Sequence, residues 1–373
     1  MITEDIRRCS RCVMDNRADK TIVFDKRGIC NHCKDAELEF RHHFFPNEEG
    51  KEKLVNLLSD IKEQGKNRKY DCLIGISGGI DSSYLAYLVS QWGLRVLAVH
   101  IDDGYDTEIS KSNIARLIEK TGFDYEVIVP DAEQFNDLTL SFVKAGVPNI
   151  DAPQDNVLFA FIYKMMKKYK IKYYLSGFNY ATESIGGADG GSAYDLINIK
   201  DIHKRFGEKP INNLQFISTT RRAIDKYLLK IKMDSPLNYV DYNTDTALEE
   251  LNKFCGFEYY GRKHLENALT AFIQLRWYPE KFGIDKRTWH LSSRILSGQI
   301  TREDAIRELQ EPMYDEEKMR EYQNLIEINM GITHQALEEY IKGPKHFYYE
   351  YRTEEKIPTV QIMKKINRII KKK

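Results

Sequence analysis

Residues 73–83, Leu-Ile-Gly-Ile-Ser-Gly-Gly-Ile-Asp-Ser-Ser, carry the densest chemistry in the chain. An apolar run ending at Ile76 reads as a short buried parallel strand. Beyond the paired glycines, Leu85, Leu88, Val89 and Trp92 fall on one face of a helix. The stretch is therefore strand, glycine turn, helix N-terminus, where free backbone N–H groups and the helix dipole favour an anion. Gly78 and Gly79 allow close backbone approach, and Ser77, Ser82 and Ser83 add hydroxyls. Asp81 repels phosphate unless a cation such as Mg²⁺ lies between them.

No lysine follows the glycines, so this is not the Walker loop. Ser77-Gly78-Gly79-Ile80-Asp81-Ser82 resembles the pyrophosphate loop of the PP-loop ATPases. That resemblance implies cleavage of ATP between the α- and β-phosphates and transfer of AMP to a substrate oxygen.

A second set of residues suits a metal. Cys9-x2-Cys12 and Cys30-x2-Cys33 are separated by seventeen residues, the spacing of a four-cysteine zinc ribbon. Thr21–Phe24 is β-prone and Asp25–Gly28 is a turn, which completes a hairpin between the pairs. The expected role is structural, with the metal supplying much of the folding energy, and His32 is expected to face solvent.

The elements that position these groups alternate. Leu54, Leu57, Leu58 and Ile61 form a helical face leading into the loop strand. Arg95–Ile101 is a second buried strand, ending in Asp102-Asp103-Gly104. Ligands in such sheets sit at the carboxyl ends of strands. The PP-loop resemblance implies adenine contacts from the backbone around Val99, His100 and Ile101. Asp102 contacts ribose or metal, or caps a helix; the sequence leaves both open. A strand at Tyr125–Val129 follows, then a helix with Val157, Phe161, Ile162, Met165 and Met166 in its core face. Tyr173–Leu175 is another strand; at its carboxyl end Gly177 is expected at the nucleotide, and Asn179 and Glu183 at substrate or a second magnesium. The glycines at 186–187 and 190–191 read as a mobile lid. Gln215–Ile217 is the last strand signal, so an α/β fold with a mostly parallel sheet of about five strands is expected.

From about 245 to 345 helices dominate: Gly256 is a C-cap, Thr301–Asp304 a capping box and Pro312 a stop. Within this region lie Tyr259-Tyr-Gly-Arg-Lys-His-Leu-Glu266 and Lys281-Phe-Gly-Ile-Asp-Lys-Arg-Thr-Trp-His290. On a helix starting near Asp285, Arg287, His290 and Arg294 share a face suited to pyrophosphate or carboxylate; a solvated basic face is the competing reading. The expected layout is a zinc ribbon (1–40), a nucleotide domain (41–235), a helical substrate region (236–345) and a basic amphipathic C-terminal helix (346–373).

The chain has 373 residues, with 56 Lys+Arg and 56 Asp+Glu, and mean hydropathy −0.53. Zero net charge argues against a nucleic-acid binder, and the absence of a long apolar run or leader-like start points to a cytoplasmic protein.

Taken in order, the Cys-x2-Cys-Val-Met-Asp knuckle, the Ser-Gly-Gly-Ile-Asp-Ser loop, Tyr-Gly-Arg-Lys-His and Lys-Phe-Gly-Ile-Asp-Lys-Arg…His-Leu-Ser-Ser…Ser-Gly-Gln-Ile-Thr-Arg closely resemble the N-acetyl sugar amidotransferase family of surface-polysaccharide and nonulosonic-acid biosynthesis. The resemblance spans Cys9 to about Glu308; Arg262 departs from it, the family often having Gly there. It implies ATP-dependent conversion of a carboxylate or acetamido oxygen on a nucleotide-linked N-acetyl sugar to an amide or amidine nitrogen. It implies catalysis by Asp81, Ser77, Lys286 and Arg287, with Asp81 on Mg²⁺. Substrate contacts would come from Asn179, Glu183, Lys263, His264, Glu266, Lys286, Arg287 and His290. No glutaminase nucleophile is evident, so ammonia is expected from a separate glutaminase subunit. A tRNA thiolase of the same superfamily, or a non-catalytic nucleotide sensor, are the alternatives. The apolar stripe of Ile362, Met363, Ile366, Ile369 and Ile370, ringed by lysines, is expected to pack on the body or to meet a partner or an anionic membrane surface.

Overall fold

The computed structural model describes residues 6–186, 191–357 and 360–361. Five parallel strands form one sheet: β1 (Cys72–Gly75), β2 (Val96–Ile101), β3 (Asp124–Ile128), β4 (Tyr173–Leu175) and β5 (Lys232–Asp234). Their order is β3-β2-β1-β4-β5, with Cys72 opposite both Val96 and Tyr173. The chain steps outward from β1 through β2 to β3, then returns to the other side of β1. A crevice therefore opens at the carboxyl ends of β1 and β4. Alternate residues of β1 enter opposite layers: Ile74 packs with Leu85 and Leu117, and Leu73 with Ile162 and Met166.

The fifth strand is not where the sequence placed it. Ile217 donates its N–H to the Asn156 side chain and accepts from it (3.1 and 2.8 Å), which holds 215–217 against a helix instead of a strand. The edge position is filled by Lys232–Asp234.

Before β1 come α1 (Asn31–His43) and α2 (Glu48–Gly65), divided where the Asn47 side chain caps α2 through Gly50 N–H. The sheet helices are α3 (Ile80–Gln91), α4 (Glu108–Thr121), α5 (Ala132–Ala145) and α6 (Ala152–Lys168), followed by α7 (Tyr180–Glu183), α8 (Leu196–Phe206) and α9 (Thr219–Tyr227). Met165 and Met166 are core residues, as expected. The helical region comprises α10 (Thr244–Cys255), α11 (Ala268–Phe272), α12 (Arg287–Leu296), α13 (Arg302–Gln310), α14 (Glu316–Met330) and α15 (His334–Lys342). Gly256 caps α10 with φ +69°, and Thr301 and Asp304 form the capping box of α13. Between α11 and α12 the backbone widens to a π-helix over Ile273–Phe282. Pro279 lies inside this segment and has no N–H to give a regular helix.

The helical region is not a separate body. Asp106 bridges Asn267, Ala268 N–H meets Tyr105 O (2.7 Å), and α10 packs on α3 and α4. Nor does a helix begin at 346. Residues 348–356 form two short turns against α8, with Asn198 donating to the Tyr348 and Arg352 carbonyls (2.9 and 3.1 Å). The stripe from Ile362 to Ile370 and part of the expected glycine lid lie outside the described residues. Among the described residues no helix is long and apolar enough to cross a membrane.

Candidate active site and metal centre

The loop after β1 has the expected order of strand, glycine turn and helix N-terminus. Gly78 has φ +74°, and a Cβ there would meet Ser110 O at 2.5 Å, so glycine is required on both counts. Gly79 is the N-cap of α3, and Ile80 N–H donates to the Tyr260 hydroxyl (2.9 Å). Ser82 Oγ accepts from Ser77 N–H (3.2 Å) and donates to Gly79 O (3.1 Å), which holds the loop to itself. Gly177, at the end of β4, rests on the start of α3: a Cβ would lie 2.9 Å from Asp81 C and Ser82 N. Ser83 points inward and is fully buried, its Oγ without a partner.

Beside the loop stands a buried ionic cluster. Asp81 accepts from Lys263 Nζ, from Tyr242 OH (2.5 Å) and from Asn179 Nδ2 (2.9 Å). Lys263 also donates to Thr182 Oγ1 (2.8 Å) and pairs with Glu183 (3.1 Å). Glu183 reaches His264 Nε2 at 3.2 Å, and Glu266 lies 3.9 Å from His264 Nδ1 and 3.5 Å from Ser77 Oγ. Four expected site elements, the loop, the β4 exit, the Lys263–Glu266 segment and α12, thus meet in one place.

Burial drives the His264 imidazolium down, but hydrogen bonds to Glu183 and Glu266 outweigh it and hold its pKa at about 9. Burial also penalises the Glu183 carboxylate, yet Lys263 and His264 keep it well below the ordinary range. His290 stacks edge-on against His264 (5.4 Å); burial and then the neighbouring cations push its pKa far down, so it is neutral. His264 itself has φ +63°, a left-handed conformation rare outside glycine, which aims its ring at both carboxylates.

Next to this cluster is a cavity of about 590 Å³, reached by Asp81 and Lys263 and walled by Tyr259, Arg262, Arg287, His290, Arg294 and Arg307. The face of Arg287, His290 and Arg294 read from the sequence is one wall. Arg287, however, spends its donors on Asp285 (2.8 Å) and on the carbonyls of Glu308, Leu309 and Glu311, joining α12 to the end of α13. Lys286 points elsewhere, over the rings of Tyr278 and Trp289 (5.2 and 5.4 Å). These aromatics line a smaller cavity of about 160 Å³ with Asp151 and Asp155. Burial, reinforced by Asp151, lifts the Asp155 carboxyl to about 7.

Other expected residues take supporting roles. Asn179 is fully buried, capping α7 through Thr182 N–H (3.0 Å) while holding Asp81. The His100 ring is locked between Ile76 O and Asp106 (2.8 Å each), and His100 and Ile101 pair with β3 at the carboxyl end of β2. Asp102 accepts from Gly104 N–H (3.0 Å), forming a turn. Sequence reading missed Tyr242, Tyr260 and Thr182. Tyr260 stood inside a quoted motif, while Tyr242 had no local signal.

Cys9, Cys12, Cys30 and Cys33 converge, their Sγ atoms within 4.8 Å of one another and fully buried, a set that could hold a metal ion. Backbone N–H groups of Arg11 and Cys30 point at Cys9 Sγ (3.4 and 3.3 Å). Arg302 grips the Cys9 and Cys12 carbonyls (3.0 and 3.1 Å), and Val13 N–H meets Ser292 Oγ (3.1 Å). The cysteine segment is therefore a clasp on α12 and α13. His32 does not face solvent; it pairs with Asp19 at 2.8 Å and draws that carboxyl to about 2.

Comparison with known proteins finds a family match over part of the chain. Residues 266–367 match the model of the LPS biosynthesis protein WbpG-like C-terminal domain. That match agrees with the family resemblance carried by the motifs. A relative from Methanocaldococcus jannaschii, described as uncharacterized protein MJ1599, is 20% identical over 83% of this chain and 95% of its own length. The tRNA-specific 2-thiouridylase MnmA of Flavobacterium johnsoniae is 27% identical over 35% of this chain and 37% of its own. Among solved structures, the NMN synthetase of Francisella tularensis aligns with TM-score 0.37 at 15% identity (77% of this chain, 96% of that one). The NH3-dependent NAD synthetase of Campylobacter jejuni aligns with TM-score 0.33 at 13% identity (80% and 99%).

Proposed function

We propose that this protein is an AMP-forming amidotransferase acting on an N-acetyl sugar, carried on a nucleotide, in surface-polysaccharide biosynthesis. The observation that carries the reading is the junction of the Ser77–Ser83 loop with the Asp81–Lys263–Glu183–His264 cluster at the mouth of a cavity large enough for such a substrate. The WbpG-like match supports the polysaccharide assignment.

A carboxylate or acetamido oxygen is a poor leaving group, and ammonia cannot displace it unaided. The substrate oxygen attacks the α-phosphorus of ATP, the bond to the β-phosphate oxygen breaks, and pyrophosphate departs into the loop's N–H groups. Ammonia then adds to the activated carbon, loses a proton, and AMP leaves carrying the substrate oxygen. Lys263 and protonated His264 supply positive charge beside the loop as negative charge develops on the phosphates. The closed cluster keeps water from the activated ester.

Magnesium is proposed on Asp81 alone. Asp81, Glu183 and Glu266 do not form a three-carboxylate site: among the described residues the four cysteines are the one group whose metal-ligating atoms converge, and Asp81 and Glu183 are held by Lys263, Tyr242, Asn179 and His264. Asp81 would meet the ion on the bound phosphates, where the ion would neutralise charge on the departing pyrophosphate. Zinc fits the cysteines. Tetrahedral Zn–S bonds of about 2.3 Å require Sγ separations near 3.8 Å, and the pairs Cys9–Cys33, Cys12–Cys30 and Cys30–Cys33 lie at 3.8, 3.8 and 3.6 Å.

Ammonia is proposed to come from a separate glutaminase. All six cysteines are buried, four of them in the cluster, and burial drives the Cys72 and Cys255 thiols up. Neither remaining thiol is a ready nucleophile for glutamine, nor for sulfur transfer as in a thiolase. The test is mass spectrometry of UDP- and CMP-linked N-acetyl sugars incubated with the protein, ATP, Mg²⁺ and ammonium. A product lighter by about one mass unit, formed together with AMP, supports the reading. ATP cleavage with no change in any sugar overturns it.

A further inference from the structure

The end of the sheet opposite the phosphate loop has a chemistry of its own. Parallel strands share their entry end, so the segments leading into β1, β4 and β5 emerge side by side there. They carry Lys66, Arg68, Lys170, Lys172 and Lys230, and the last turn of α9 adds Lys226. Contacts link them: Arg68 binds the Lys170 carbonyl and Lys172 the Leu229 carbonyl. Among the described residues, none of these six cations has a carboxylate partner. Of the acids at this end, Asp60, Asp71, Asp124, Glu126 and Asp225 are already held by Lys232, Arg95, Lys69, Lys168 and Lys167, which leaves exposed Glu63, beside Lys66, against six cations. A chain of zero net charge thus concentrates unmatched positive charge at one pole.

Two observations set this apart from ordinary helix-end lysines. Lys170 and Lys230 both adopt left-handed backbone, φ +58° and +54°, at chain turns where glycine is the cheap choice. In addition, Tyr227 and Leu228 stand 73% and 75% exposed in the middle of the cations, with Ile224 beside them at 41%. Burial, then Arg68 and Lys230, depress the Lys172 pKa, so the cluster is electrostatically strained without a counter-charge.

We propose that this pole rests on an anionic phospholipid surface, with Tyr227 and Leu228 entering the headgroup layer and the six cations meeting lipid phosphates. An aromatic and an aliphatic tip ringed by long flexible cations is the pattern of an interfacial contact. Leucine at the apex offers no stacking to a nucleic-acid base. The phosphate-loop crevice, at the opposite end of the strands, stays open to the aqueous side.

The test is flotation of the full chain with phosphatidylcholine vesicles, with and without phosphatidylglycerol, at low and high salt. Binding is expected only with phosphatidylglycerol and is lost at high salt. Lys170→Gly and Lys230→Gly suit their backbone and should leave the fold intact; each is expected to weaken binding about fivefold. Tyr227→Ser with Leu228→Ser should weaken it further while leaving retention on single-stranded RNA unchanged. The proposal is overturned by absence of binding, by binding that survives these four substitutions, by loss on removing residues 362–373 alone, or by tighter binding to RNA than to vesicles.

Discussion

Lys263 is the residue on which the cluster's electrostatics depend, and replacing it with Met has a calculable consequence. Its ammonium holds Asp81 and Glu183 together and is mostly buried, with 13% of the side chain exposed. Without it two buried carboxylates face each other, a loss of about 3–5 kcal/mol for breaking a buried ion pair. Tyr242 and Asn179 still donate to Asp81, and His264 to Glu183, which places the cost at the lower end. With an unfolding entropy of about 2.1 cal/mol/K per residue, the whole chain loses about 4 °C in Tm at neutral pH. The loss should shrink toward pH ~5, because a carboxylate freed of its cation takes up a proton more readily. Thermal scans of Lys263→Met, Asp81→Asn and the double variant give the coupling directly. The double variant should be less destabilised than the sum of the singles. Additive effects, or a Tm shift below about 1 °C that is independent of pH, would refute the cluster as an interacting unit.

Three further outcomes follow from the geometry. His264 should titrate near 9 by NMR; because that lies above its ordinary 6.5, its stabilising contribution is complete below about 6.5, fades as pH rises and is gone above 9, and Glu183→Gln should return the titration toward 6.5. Gly177→Ala places a methyl 2.9 Å from the Asp81 and Ser82 backbone, so ATP cleavage should fall at least tenfold while the metal content of the cysteine site is unchanged; wild-type cleavage would show that the loop tolerates displacement. Metal analysis should find one zinc per chain, and Cys9→Ser should lose it and expose the α12–α13 surface, including Arg302, that the Cys9–Val13 segment now covers, read by limited proteolysis.

Much of this was legible in residues close together in sequence. The loop needed only its glycines and the flanking apolar periods, and the metal site only its spacing. The wall of Arg287, His290 and Arg294 followed from helical period. What the sequence hid was decided by distant contacts. Asn156 turned an apparent strand at 215–217 into a pinned loop, and Arg287 found its partners at the end of α13. Lys286 met two aromatic rings instead of the large cavity. Tyr242, in a segment without a motif, reached Asp81 only because the chain returns across the edge of the sheet. Asn179 looked like a substrate contact because polar residues at strand ends often are, yet its amide nitrogen holds the loop's aspartate and its amide oxygen caps α7.

The central claim is that a substrate oxygen leaves on AMP and is replaced by nitrogen. Its most direct measurement is the fate of a heavy-oxygen label in the carboxylate or acetamido group of a nucleotide-linked N-acetyl sugar, with ammonium as nitrogen source. The account predicts label in AMP, one atom for each nitrogen incorporated, and none in pyrophosphate. Label retained in the sugar product, or AMP released without label while nitrogen is incorporated, would contradict it.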